Sequence, residues 1–119
     1  RAGYFVSGPD VKLYGRIEAL RPARLRDSRV EHWIARIVDQ IGNPTIVDMG
    51  PKAALWRADL RADDWVTVYG PYMHVGNGRV LLAREINKSG LPYLIQRQLV
   101  TEPPARTATA VERAAPIVP

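Results

Sequence analysis

Residues 11–20, VKLYGRIEAL, alternate between two kinds of side chain. Val11, Leu13, Gly15, Ile17 and Ala19 fall on one face, and Lys12, Tyr14, Arg16 and Glu18 on the other. A period of two is the pattern of a strand with one face buried, and it excludes an amphipathic helix over the same stretch. Gly15, in the middle, predicts a bulge or a sharp bend. Four more segments rich in branched and aromatic residues read as strands: 32–39, 45–50, 65–70 and 79–86. Turn chemistry separates them, with Gly42-Asn43-Pro44 after the second strand and Gly76-Asn77-Gly78 before the fifth. Residues 51–60, PKAALWRADL, change character. Pro51 suits a first helical turn, and the alanines and leucines after it favour a short helix with Leu55, Trp56 and Leu60 on one stripe. The expected core is Val11, Leu13, Ile17, Ile34 or Ala35, Ile37, Val47, Val66, Val68, Leu82 and Ile86.

Composition narrows the class further. A chain of 119 residues is one domain in size. Its 46% apolar and 24% charged residues are those of a globular protein, which excludes disorder throughout and fibrous classes. No apolar run approaches the roughly 18 residues of a membrane-spanning helix. With no cysteine, disulfides, iron–sulfur clusters and thiolate metal sites are impossible. The net charge of +5 is uneven: residues 1–36 hold eight Lys or Arg against four Asp or Glu. A basic first third points to an anionic partner, whether nucleic acid, lipid headgroup or acidic protein face.

The order strand, strand, strand, short helix, strand, strand resembles the OB-fold, a small, partly open five-stranded barrel. VKLYGRIEAL looks like the bent, glycine-bearing first strand of that family. LRADDWVTVYGPY resembles the entry to its fourth strand, and RVLLAREI its closing strand. The resemblance covers roughly residues 11–87. It is closest to bacterial OB-fold modules of the exported, stress-associated kind and of the anticodon-binding-like kind. It implies an all-β, five-stranded OB-like barrel with a short helix between strands 3 and 4. Residues 1–10 are then an N-terminal arm, and 88–119 a Pro- and Ala-rich C-terminal extension. Residues 91–100 could add a strand or a short helix, while 101–119 hold too few large apolar groups for a core of their own.

Catalytic chemistry finds no foothold. His32 and His74 are the only histidines, and no spacing places Asp39, Asp48 or Asp59 beside either as a catalytic partner. Each reads as a surface or internally satisfied side chain. Ser7, Ser28 and Ser89 lack nucleophile-elbow surroundings. Met73-His74 offers copper-type ligands, but neighbours on a strand point to opposite faces. Asp63 and Asp64 read as a cap and a solubilising edge. The chain is therefore expected to be no enzyme, with no cofactor and no metal.

A binding surface is better supported. OB-folds hold single strands by stacking bases on aromatics beside a cationic groove. Lys12, Tyr14 and Arg16 line the outward face of the first strand, Trp33 and Arg36 lie on the second, and Tyr69 and Tyr72 flank the end of the fourth near Arg79. Trp33, Trp56 and Trp65 could equally plug the core, the commoner fate of tryptophan in so small a domain. The insert RPARLRDSR carries Arg21, Arg24, Arg26 and Arg29, suited to phosphates or to an acidic protein face. The leading expectation is a non-enzymatic accessory or binding subunit acting through protein–protein contact. The N-terminal arm and C-terminal tail would be its docking elements. The start at Arg1 rather than Met is read as a removed signal peptide, hence a periplasmic or otherwise exported protein. The alternative is a single-stranded nucleic-acid-binding protein, which would be cytoplasmic.

Overall fold

The computed structural model describes residues 5–24 and 29–97. Seven strands form one sheet: β1 (Phe5–Arg24), β2 (Glu31–Asp39), β3 (Pro44–Pro51), β4 (Trp65–Val75), β5 (Gly78–Leu82), β6 (Glu85–Lys88) and β7 (Leu91–Leu94). A single helical turn, α1 (Lys52–Leu55), continues into a 3-10 turn over Trp56–Ala58 between β3 and β4. The sheet runs β1-β2-β3-β5-β4-β6-β7, and β1 also pairs with β4. Five strands therefore close into a ring, with β6 and β7 appended to β4. All pairings are antiparallel except β3 with β5.

Closure depends on β1 serving two partners. Its first part pairs with β4, from Phe5 opposite His74 to Arg16 opposite Trp65. Its second part pairs with β2, from Gly15 opposite Asp39 to Arg24 opposite Glu31. Gly15 and Arg16 belong to both ladders. The reason for glycine here is contact, not dihedral strain. Gly15 has no positive φ, but a Cβ at this position would lie 2.6 Å from both Ile37 Cγ2 and the Val38 carbonyl oxygen. The register breaks of β1 lie elsewhere, between Ser7 and Val11 and between Ile17 and Ala19. The second break changes the side-chain phase. Ala19, expected on the buried face, is exposed, and Leu20 packs against the core instead. At the break the strand's backbone is satisfied by another loop: the Ile17 N–H donates to the Asp64 carbonyl and the Asp63 N–H to the Ile17 carbonyl.

The ring buries Ile17, Ala35, Ile37, Val47, Met49, Val66, Val68 and Leu81. Ile86 from β6 and Leu55, Ala58 and Leu60 from the helical connection join the same cluster. Of the expected core, Val11 and Leu13 are half-buried against it, and Ala35 rather than Ile34 faces inward. Trp56 does not share the helix stripe with Leu55 and Leu60. It is 70% exposed, because the helix tightens after one turn and turns that position away.

The segment 79–86 is two strands rather than one. At Ala83 and Arg84 the chain leaves the β3 side: the Ala83 N–H donates to the Asp48 carbonyl and the Arg84 N–H to the Tyr69 carbonyl. β6 then pairs with β4 at Thr67, Val68 and Tyr69. Residues 91–94 are the extra strand, β7, paired with β6. The Gly76-Asn77 turn joins β4 to β5 as a two-residue hairpin, with Val75 opposite Gly78.

Gly15→Val should destabilise the chain by about 1–3 kcal/mol, since the β1–β2 crossing cannot admit a branched side chain without moving backbone. Urea denaturation followed by tryptophan fluorescence checks this; an unchanged midpoint would contradict the close crossing.

Candidate functional site

Period-two alternation places side chains on the outside of the ring as firmly as inside it. On β4, Val66 and Val68 are buried, so Trp65, Thr67 and Tyr69 take the opposite face. They stand opposite Arg16, Tyr14 and Lys12 of β1. The Tyr14 and Trp65 rings pack at 5.2 Å between centroids, tilted by 31°. Each keeps nearly half its surface in solvent, 44% and 45%. Arg16 Nη1 pairs with Asp63 Oδ1 at 3.1 Å, and Lys88 Nζ with Asp64 Oδ2 at 2.9 Å. This first face is thus aromatic and close to charge-balanced, with Lys12 unpaired among the described residues.

The second outward face belongs to β1, β2 and β3. A groove of about 350 Å³ crosses it, lined by Ala19, Arg21, Ile34, Ala35, Arg36 and Ile46. The ladders give its layout. Ala19 lies opposite Arg36, and Arg36 opposite Ile46; Arg21 lies opposite Ile34. Arg36 is paired with Glu18. Arg21, Arg24 and Arg29 are exposed and have no ion pair among the described residues. Arg26 lies outside the described residues, as does the tail from residue 98 onward.

The remaining expected site residues are drawn into other contacts. Trp33 is half-buried against the core, with Lys52 Nζ 4.8 Å from its ring centroid. Tyr72 also packs against the core, and the Arg79 guanidinium sits 3.9 Å over its ring. The structure therefore brings Lys12, Tyr14 and Arg16 together with Trp65 and Tyr69. It puts Arg21 and Arg36 on a different face and keeps Trp33 and Tyr72 apart from both. Trp65 is legible as an outward residue, since WVTVYG alternates just as VKLYGRIEAL does.

One polar cluster is not foreshadowed by spacing. Asp48 is 1% exposed, between the buried Val47 and Met49 of β3. Its Oδ1 lies 2.8 Å from His32 Nδ1 and accepts from the Gly50 N–H at 2.9 Å. Arg97 reaches it from beyond β7: Nη2 donates to the Asp48 carbonyl at 2.7 Å and lies 3.3 Å from Oδ1. Arg97 Nε donates to the Ala83 carbonyl at 2.6 Å. So His32 does have a carboxylate partner, contrary to the reading from spacing. The β2–β3 register break at Trp33 and Ile34 and the turn-back of the hairpin bring two residues sixteen positions apart into contact. Asp48 Oδ2 is buried without a hydrogen-bond partner. A lone acid between Val47 and Met49 is the available signal; that Arg97 answers it is not readable from the chain.

Among the described residues, no group of three or more His, Cys, Asp or Glu could hold a metal ion. No helix there is long and apolar enough to cross a membrane. No protein-family model matches the chain, and no curated protein matches it as a relative.

Burial opposes ionisation of Asp64, but the Lys88 ammonium and the Arg61 N–H outweigh it and hold the carboxyl below its ordinary value. The folded chain then binds this proton less readily than the unfolded chain does. The resulting stability is present above about pH 4 and is lost as pH falls through the lowered value. Lys88→Met should flatten the acid limb of a stability–pH curve; an unchanged limb would remove Lys88 as the cause. Arg97→Ala should cost about 3–5 kcal/mol by leaving the buried Asp48 carboxylate with only His32 and the Gly50 N–H. Asp48→Asn should cost less, since its amide oxygen can still accept from Gly50. Chemical denaturation of both variants would reveal the order, and a mild Arg97→Ala would show that the cluster does not hold the segment.

Proposed function

We propose that the chain is an OB-fold accessory or binding subunit that works through protein–protein contact, without catalysis. Support for the barrel family comes from the strand order, the β1 strand shared between β2 and β4, the parallel β3–β5 pairing and the helical turn between β3 and β4.

The observation that carries the reading is the exposed Tyr14–Trp65 pair in charge-balanced surroundings. Large rigid rings with Arg and Lys at their margins are the chemistry of interface anchors. A phosphate backbone would need several uncompensated cations beside the rings, and here Arg16 and Lys88 already have carboxylate partners, which leaves Lys12 alone.

One observation favours the single-strand alternative: Arg21, Arg24 and Arg29 are exposed where β1 ends and before β2 begins, with no ion pair among the described residues. The two readings separate in one experiment. A photocrosslinking phenylalanine derivative at position 65, irradiated in extract of the native host, should yield a discrete protein adduct that survives nuclease treatment. Tyr14→Ala should reduce that adduct at least tenfold, corresponding to about 1.4 kcal/mol of contact energy. An adduct destroyed by nuclease, or tight binding of a single-stranded oligonucleotide at about 50 mM salt with a steep salt dependence, would overturn the protein reading in favour of nucleic acid.

A further inference from the structure

We propose that the groove across β1, β2 and β3 is a docking site for an extended segment of a partner protein that presents aliphatic side chains flanked by acidic ones. This rests on the protein-contact reading above, but it concerns a different face and names the chemistry of the occupant.

The floor of the groove is aliphatic. Ile46 is 43% exposed, Ile34 is half-buried and Ala19 is exposed. These three positions point outward on neighbouring strands, set about 4.8 Å apart. Nothing in the period-two pattern requires isoleucine on the outer side of a sheet. Polar residues there would fold as well, so the pair, like the Tyr14–Trp65 pair, is an apolar place on the outer side of the ring.

Two guanidinium groups accompany the floor. Arg21 is opposite Ile34, and Arg36 lies between Ala19 and Ile46, so the two cations stand diagonally across it. Arg21 has no ion pair among the described residues. Arg36 is held by Glu18 through one nitrogen, which leaves other N–H donors of the planar fork free. The Glu18 pairing also orders that side chain before any ligand arrives, which lowers the entropy cost of binding.

An extended peptide matches this arrangement. An aliphatic side chain entering the floor leaves the side chains of its neighbours on the opposite side of the peptide, level with the ends of long arginine stems. Carboxylates at those neighbours can accept forked hydrogen bonds from Arg21 and Arg36. The volume of about 350 Å³ is at the small end of ligand sites, enough for short aliphatic side chains but not for a folded surface. A nucleic-acid strand is disfavoured because the lining holds no aromatic ring on which a base could stack.

The test uses the full chain, labelled with nitrogen-15, and the acetylated, amidated peptide Glu-Leu-Glu-Val-Asp-Leu. Titration should shift the backbone amides of residues 19, 21, 34, 36 and 46 in a saturable way. Arg21→Glu, at an exposed position, should weaken binding at least tenfold with the dispersed spectrum retained, and Ile46→Ala should weaken it severalfold. Trp65→Ala should leave it unchanged, so failure of the aromatic face and failure of the groove are told apart. A peptide with lysine in place of each acid should not bind. The proposal is overturned by the absence of saturable shifts up to about 5 mM peptide, by equal binding of the lysine peptide, or by shifts centred on other residues. It is also overturned if a single-stranded oligothymidylate shifts the same amides at lower concentration than the peptide does.

Discussion

Everything in this molecule depends on one crossing. At Gly15, β1 is in hydrogen-bonded register with β2 and β4 at once. No other residue type could occupy that point without pushing against Ile37 and the Val38 carbonyl. Once β1 serves both neighbours, the curvature of the sheet is set, and β5 can close against β3 in parallel. A second close contact, at Gly70, secures the opposite side: a Cβ there would lie 1.8 Å from the Leu82 carbonyl oxygen. Two glycines of ordinary backbone conformation thus fix where strands meet, and their contribution is the space they leave empty.

The Asp48 cluster is a different kind of constraint. Burying a carboxylate is costly unless its charge and lone pairs are answered. Here the answers come from three places in the chain: Gly50 in the same strand, His32 across the hairpin and Arg97 from beyond the last strand. Arg97 also caps the carbonyls of Asp48 and Ala83, and Ile95 packs against Gly50. The consequence is directional. An apolar patch would accept the returning chain in several positions, whereas a buried charge with one guanidinium partner accepts it in one.

Most of the ring is readable because period-two alternation reports burial directly. The strands, the two hairpin turns and core positions such as Ile17, Ile37, Val47, Val66 and Val68 can be told from which side each residue takes. The features that escape such a reading do so for physical reasons. The phase change after Ile17 is a bulge, and no residue type between Ile17 and Ala19 demands one. Trp56 fits a helical stripe on paper, but a single turn has too few residues for a stripe to be enforced. The candidate binding residues come, by type, from several strands at once. Types do not say which strands end up adjacent, so the set divides between an aromatic face and a basic groove. The Asp48–His32–Arg97 contact is long-range in sequence and depends on a register break, neither of which leaves a local pattern.

The pairing of charges has a consequence for how this molecule moves in solution. Arg16, Arg36, Lys52, Arg61, Lys88 and Arg97 are each matched by a nearby carboxylate. The formal excess of positive charge is therefore not spread evenly over the described surface. Of the described cations without an ion pair, Arg21, Arg24 and Arg29 lie where β1 leads toward β2, whereas Lys12, Arg57 and Arg79 stand elsewhere, the last two over the rings of Trp56 and Tyr72. A molecule charged in this way has a pole. In the field of an acidic surface it turns before it touches, so that end arrives first more often than chance allows. Over separations beyond the Debye length, about 8 Å in physiological salt, this torque fades, and the faces compete on equal terms. Ionic strength would then act on the orientation of first encounter more than on the strength of the final contact.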